Sequence, residues 1–370
     1  MVRLEAELGR AYLMSDEADL ALPVIEQALV RAEATTQLES IAELLVSRAW
    51  AVTRAGRPTE ALVLLRGVVP FCDEHGFLNA RMRCAMNLSA WETVGNPRRS
   101  MAAALDGLVI ARRRRLAGWA GGLAGNWADS AFEVGEWDAI LALVAELDAE
   151  GLLPADESAG IFVGVYMIRA YRGAVDEATD VLERVLRPLM DDFQIAHSYY
   201  DASCHLRFAA GDLEAMRRYG AELVADREMY PYDVIPAARA ALWLRDAAGL
   251  REVLGERETT GGSPFLFVRY FAIRGSATDL RFEVVRAGLA ALEGRQDDAR
   301  AGYFAAEAGL RELGIRFELG LALLEHAVFL AGDASAGPAA EEARAVFAEL
   351  GATTLLARLP AEVPAAPVAD

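Results

Sequence analysis

Apolar segments with the pattern of helices follow one another along the chain. They come in pairs, and a glycine separates the two members of a pair. Eight glycines lie between two such segments, with intervals of 38 to 45 residues: Gly56, Gly95, Gly135, Gly173, Gly211, Gly249, Gly294 and Gly332. The following segment often carries an alanine four or five residues on, as at Ala61, Ala139 and Ala178. A small residue at this place lets two helices approach closely. The pattern predicts helical hairpins stacked in a row.

Glycine suits the end of the first helix of each pair because it adopts the left-handed conformation at little cost. Acidic residues or proline at the start of the second helix suit the positive end of its dipole. A first hairpin precedes the glycine series, and Ser15 and Asp16 replace the glycine there. The spacing breaks once, where a loop predicted over residues 259–264 is followed by the aromatic segment 265–271. This break predicts an offset in the superhelix.

The composition agrees with this pattern. Hydrophobic residues make up 54% of the 370 residues, and strong helix formers dominate. We therefore predict an all-α protein, a single right-handed α-solenoid of about nine hairpins over residues 1–359. An irregular junction is expected near residues 255–278. Residues 360–370, which contain three prolines, are expected to be a disordered tail.

The spacing of Leu8, Gly9, Tyr12, Ala21 and Ala28 resembles the tetratricopeptide repeat. This resemblance implies an extended inner surface that binds a partner segment.

A narrower resemblance lies in the longer period and in the segments 57–61 and 342–352, which are similar to the C-terminal helical regions of bacterial class III nucleotide cyclases and LuxR-type signalling ATPases. It implies a role in bacterial signal transduction or transcriptional regulation, with cyclase, DNA-binding or ATPase modules elsewhere. The chain could be such a regulatory part of an enzyme or a complete repeat protein.

Charge narrows the classes of function. Fifty-five acidic and 37 basic residues give a formal charge of -18, and every basic residue is arginine. The absence of lysine removes the P-loop lysine and the Schiff-base lysine. Binding that depends on neutralising many phosphates is disfavoured by this balance. We expect a protein or peptide partner, with basic segments favoured, and neither nucleic acid bound directly nor a membrane.

Three cysteines with no CxxC spacing fit a reducing compartment, so a cytoplasmic location is expected. The sequence contains no run of about 20 apolar residues, the length that a membrane-spanning helix needs.

One cluster has the side-chain types of a zinc site: His197, Asp201, Cys204 and His205 would share a helical face. The register of the repeat instead points Cys204 into the neighbouring helix, which favours polar residues lining a groove. Arg112 to Arg115 could bind an acidic surface, but a solvated helix end paired with local acids is the simpler interpretation. Gly118, Gly121, Gly122 and Gly125 do not give a phosphate-binding motif.

The sequence offers no assembled acid, base and nucleophile, so we expect neither catalysis nor a cofactor. Counting back from the turn glycines places four residues on the inner helices, facing the groove: Trp50, Asp129, Asp201 and His205. These are the predicted partner-binding residues of a non-catalytic interaction scaffold or sensor. A peptide or small-molecule sensor, with a pocket closed by residues 265–271, is the further alternative.

Overall fold

The computed structural model of the protein describes residues 1–15, 17–153, 159–191, 193–225, 234–259 and 276–359. Within these ranges the chain is helical and contains no strand. The helices are α1 (Val2–Met14), α2 (Ala18–Ala34), α3 (Leu38–Arg54), α4 (Pro58–His75), α5 (Leu78–Gly95), α6 (Pro97–Arg114), α7 (Ala117–Val134), α8 (Trp137–Ala149), α9 (Ala159–Tyr171), α10 (Val175–Val185), α11 (Phe193–Ala210), α12 (Leu213–Ala225), α13 (Val234–Trp243), α14 (Ala247–Thr259), α15 (Ala277–Leu292), α16 (Gln296–Leu313), α17 (Arg316–Phe329), α18 (Ala336–Leu350) and the short α19 (Thr353–Leu356). A single 3₁₀ turn, Arg187–Leu189, follows α10.

The helices form two layers. Successive odd-numbered helices from α1 to α17 contact one another and make the inner layer. Each even-numbered helix from α2 to α18 packs on its odd-numbered partner and forms the outer layer. The described helices thus form nine hairpins of a tetratricopeptide-like α-solenoid, which confirms the predicted fold class.

Six of the eight spacing glycines end a helix as predicted. Gly56, Gly135, Gly173, Gly211, Gly294 and Gly332 all have a positive φ, between 76° and 102°. Gly95 instead is the last residue of α5. There Asn96 begins the next helix, and its side chain accepts a hydrogen bond from the Arg99 amide.

The turn predicted at Gly249 lies earlier in the chain. Gly249 is inside α14, and its amide donates to Oδ1 of Asp246 at 2.9 Å. The left-handed position before this helix is taken by Arg245, with φ 56°. Asp246 therefore starts the helix as an N-cap, and this local signal outweighs the glycine.

Some predicted features lie outside the described residues. They are Asp16 of the first turn, residues 260–275 of the irregular junction with its aromatic segment, and the tail over 360–370. Among the described helices, none is both long and apolar enough to cross a membrane.

The solenoid folds back on itself. α15 contacts α5, α17 contacts α7, and α19 contacts α9 and α11. The Thr278 hydroxyl donates to the Val94 carbonyl at 3.0 Å, and the Thr354 hydroxyl donates to the Tyr171 carbonyl at 3.1 Å. Arg358 likewise donates to the Phe208 carbonyl and lies 4.1 Å from the Phe208 ring centroid.

These contacts cap carbonyl groups at the ends of α5, α9 and α11, which have no partner within their own helices. The inner layer of the central hairpins is therefore packed against the chain's own C-terminal hairpins. The expected open groove is not continuous along the solenoid.

Candidate functional site

Two inner helices present acidic side chains at helical spacing. Asp129 and Glu133 are four residues apart on α7, and Asp201 and His205 are four residues apart on α11, so each pair shares a face. The charge of Asp201 acts on both Asp129 and Glu133. We call Asp129, Glu133 and Asp201 the acidic floor of the inner surface.

A buried ion network lies beside the acidic floor and joins α7, α13, α15 and α17. Arg239 Nη2 lies 2.9 Å from Glu318 Oε2, and Arg239 Nε lies 2.8 Å from Glu325 Oε1. Arg281 Nη2 lies 2.7 Å from Glu133 Oε2. Both arginines and both α17 glutamates are at most 5% exposed. The network ties the folded-back hairpins to the central ones.

The two α17 glutamates respond differently to this environment. Burial opposes ionisation of Glu318, but the charges of Arg239 and Arg281 outweigh it and lower its pKa. Burial raises the pKa of Glu325, although Arg239 and the Trp243 indole hydrogen bond favour its charged form. Arg239 is therefore the residue whose charge favours the ionised state of both glutamates, and Arg281 adds to it at Glu318.

Asp129 has an unusual combination of properties. Its side chain is exposed to solvent. Its pKa is nevertheless raised to about 7, by desolvation first and then by the negative charges of Asp201 and Glu133. The two observations agree if solvent reaches the carboxylate from one side while protein displaces water from the others. Asp129 is thus exposed to solvent yet closely surrounded by protein.

Glu133 is similar but less accessible. Its side chain is 16% exposed. Burial raises its pKa to about 7, with Arg281 opposing the shift and the charges of Glu318 and Asp201 adding to it. Asp129 and Glu133 are consequently the two acidic groups whose charge is most costly in this region.

The region carries more negative than positive groups. Its two arginines, Arg239 and Arg281, face five carboxyl groups: Asp129, Glu133, Asp201, Glu318 and Glu325. Glu318 and Glu325 are neutralised by direct ion pairs with arginine. Glu133 pairs with Arg281, so the uncompensated charge is that of Asp129 and Asp201, which solvent reaches.

The other predicted partner-binding residues have different surroundings. His205 Nδ1 lies 2.8 Å from the Tyr171 hydroxyl, and its ring meets Phe132 edge-on at 5.5 Å. Desolvation lowers the pKa of His205, against the charge of Asp201. Trp50 is half-buried on α3 and packs in a separate apolar cluster formed by α1 to α3. The structure thus brings together Asp129, Asp201 and His205 but not Trp50.

The cluster with the side-chain types of a zinc site, His197, Asp201, Cys204 and His205, does not come together around a common centre. Cys204 is buried, and its Sγ lies 3.7 Å from the Met216 carbonyl of α12, away from Asp201 and His205. This confirms that Cys204 points into the neighbouring helix. In the ranges that the structure describes, no three His, Cys, Asp or Glu side chains are grouped as metal ligands.

The run Arg112 to Arg115 lies at the C-terminal end of α6, as predicted. Arg112 pairs with Glu146 at 3.1 Å and with Glu150, so it is held by local acids. Gly121 and Gly125 are buried inside α7, where their small size permits close packing.

Sequence reasoning missed the arginines and glutamates of the ion network. Arg239 is the only charged residue of α13, and Glu325 lies among apolar residues of α17. A charge isolated in an apolar helix is the signal that could have revealed a buried pair.

No family model matches the chain, and no curated protein matches it. A solved structure that is similar is the human IFIT1 dimer with PPP-AAAA. It shares 12% sequence identity, the alignment covers 97% of this chain and 90% of the other, and the TM-score is 0.41.

The expectation that nucleic acid is not a direct partner is withdrawn, because the similar IFIT1 structure contains PPP-AAAA. It rested on the net charge of -18, which sums over the whole chain. Recognition depends on the local potential, and local arginines are compatible with an acidic total.

Proposed function

We propose that this chain is a non-catalytic interaction scaffold that holds a cationic segment of a partner protein at the acidic floor. The observation that carries the proposal is Asp129, a solvent-exposed carboxylate whose pKa is raised to about 7 by desolvation and by Asp201 and Glu133. A guanidinium or ammonium group placed there would relieve the repulsion between these carboxylates.

The ion network supports this proposal by fixing the floor. Arg281 holds Glu133, and Arg239 holds the two glutamates of α17, so one acid of the floor and the helices beside it are positioned before a ligand arrives. Preorganised groups bind with a smaller loss of side-chain freedom. The proposal places the ligand among α7, α11 and α15, where the solenoid folds back, and not along an open groove.

Location and context belong to the proposal as well. Cys72, Cys84 and Cys204 are buried and form no disulfide among the described residues, which supports a reducing, cytoplasmic location. A regulatory role in bacterial signalling rests on the sequence resemblance alone.

The test is a titration with an oligo-arginine peptide and with its neutral citrulline analogue. We expect the arginine peptide to bind and the Asp129→Asn/Asp201→Asn variant to bind it at least tenfold more weakly. The matched control is Asp176→Asn/Asp180→Asn, which removes two exposed acids from α10 and should leave the affinity unchanged.

Equal affinity in the two double variants would mean that attraction to the overall negative charge explains binding, and the proposal would fail. A single-stranded RNA oligonucleotide is titrated in parallel. If it bound the wild type more tightly than the arginine peptide, nucleic acid would replace a cationic segment as the ligand of the scaffold.

A further inference from the structure

A second cleft lies between α11 and α12. It has a volume of about 450 Å³, and its charged and aromatic lining residues are Tyr200, Arg207, Asp212, Arg218, Tyr219 and Glu222. This volume is within the range of small-molecule sites, roughly 300 to 1,000 Å³. The combination of two arginines with two tyrosines distinguishes it from the acidic floor.

The arginines of this cleft are available to a ligand. Neither Arg207 nor Arg218 lies within 4 Å of an acidic side chain anywhere in the described ranges, in contrast to Arg112 or Arg239. Asp212 is already engaged, because its Oδ1 accepts the Ala215 amide at 3.0 Å and caps α12. Glu222 is exposed to solvent. Two guanidinium groups therefore line the cleft together with the carboxylates of Asp212 and Glu222, and neither guanidinium forms an ion pair with them in the described ranges.

The tyrosines supply an aromatic wall. The ring centroids of Tyr200 and Tyr219 are 6.4 Å apart, with an angle of 43° between the ring planes. Both side chains are half-buried, so each ring is held by packing yet meets solvent. Aromatic side chains of this kind stack on nucleobases with little dependence on base identity.

On α11 the aromatic and the cationic side chain are separated. Tyr200 and Arg207 are seven residues apart on α11, which is two turns, or about 10 Å along the axis. Arg218 and Tyr219 are adjacent on α12. A ligand that satisfies both ends needs an anionic group at one end and a flat aromatic ring at the other.

We propose that this cleft binds a nucleoside monophosphate, with the phosphate on Arg207 and Arg218 and the base against Tyr200 and Tyr219. Arginine suits the phosphate because its planar group donates two parallel hydrogen bonds to phosphate oxygens. The site is independent of the cationic segment proposed for the acidic floor.

The experiment is a calorimetric titration of the full chain with AMP, ribose 5-phosphate and adenosine. AMP is expected to bind at least tenfold more tightly than either fragment, because only AMP offers both the phosphate and the base. The Arg207→Gln/Arg218→Gln variant should lose at least tenfold in AMP affinity, and Arg218→Gln alone at least threefold.

The matched control is Arg113→Gln/Arg114→Gln, which removes two exposed arginines of α6 and should bind AMP like the wild type. Far-UV circular dichroism checks that each variant is folded, and the exposed position of Arg218 makes the single variant a safe second test. The proposal is overturned if Arg218→Gln binds AMP as the wild type does, if ribose 5-phosphate matches AMP, or if AMP does not bind at millimolar concentration.

Discussion

Replacing Asp129 by asparagine should stabilise the protein, by an amount that grows as the pH rises from about 4 to about 7. Asp129 makes no hydrogen bond or ion pair within the described residues, so the change removes a charge without breaking a contact. Its pKa is raised from 3.8 to about 7 by desolvation first, then by Asp201 and Glu133. A raised carboxyl pKa means that the folded state binds more protons than the unfolded state between these values. Stability is therefore lost as the pH rises from about 4 to about 7.

The magnitude follows from the shift. Three pKa units correspond to about 4 kcal/mol, at about 1.4 kcal/mol for each unit. Because the carboxylate is exposed, solvent screening reduces this, and we expect about 1 to 2 kcal/mol. Asp129→Asn should accordingly exceed the wild type by about 1 to 2 kcal/mol in free energy of unfolding at pH 8 and match it near pH 4.

Urea unfolding followed by circular dichroism at pH 4, 6 and 8 measures the difference. Asp176→Asn is the control for the loss of one negative charge from an acidic chain, and its stability should change little with pH. A variant that is equally stable at every pH, or less stable than the wild type at pH 8, would refute the reasoning.

Three further substitutions test the fold by the free energy of unfolding from urea titration. Arg239→Met should cost about 3 to 5 kcal/mol, because it leaves Glu325 buried without a counter-charge and leaves Glu318 with Arg281 alone, and a cost below 1 kcal/mol would contradict the network. Thr278→Val keeps the shape but removes the 3.0 Å hydrogen bond to the Val94 carbonyl, so it should cost about 1 kcal/mol; no loss would argue against closure. Gly294→Ala should cost about 1 kcal/mol from the positive φ of 76° alone, since a Cβ there meets open space, and a stabilised variant would contradict the turn assignment.

The sequence predicted the repeated unit well because the hairpin is a local structure. Glycine at a helix end and alanine after the turn are short-range signals, and six of the eight glycines have the expected positive φ. At Gly249 a stronger local signal, the Asp246 cap, displaced the turn to Arg245.

The folding-back of the solenoid could not be predicted in this way. The contacts of Thr278 with Val94 and of Thr354 with Tyr171 join residues more than 180 positions apart, and no periodic pattern marks them. The curvature that brings these helices together is the sum of small rotations between hairpins. A shift of one residue in helix register, or of a few degrees in the rotation between neighbouring hairpins, changes which surfaces come into contact.

The candidate site was therefore predicted in part. Helix spacing placed Asp129 and Asp201 on inner helices, and the structure gives them a common environment. Their enclosure by α15 and α17, and the arginines that come with it, depend on the folding-back. Trp50 shares the inner layer but lies too early in the chain to reach this region.

The most direct test of the acidic floor is the proton release that accompanies binding of the arginine peptide. Near pH 7 both Asp129 and Glu133 are about half protonated, since the pKa of each is about 7. A bound guanidinium lowers both values, so about one proton should leave in total. Calorimetry at pH 7 in buffers of different ionisation enthalpy measures this number. We expect about one proton for the wild type, fewer for Asp129→Asn, and tighter binding at pH 8 than at pH 5.5. Binding heat that is the same in every buffer, with an affinity that does not change between these pH values, would contradict the account.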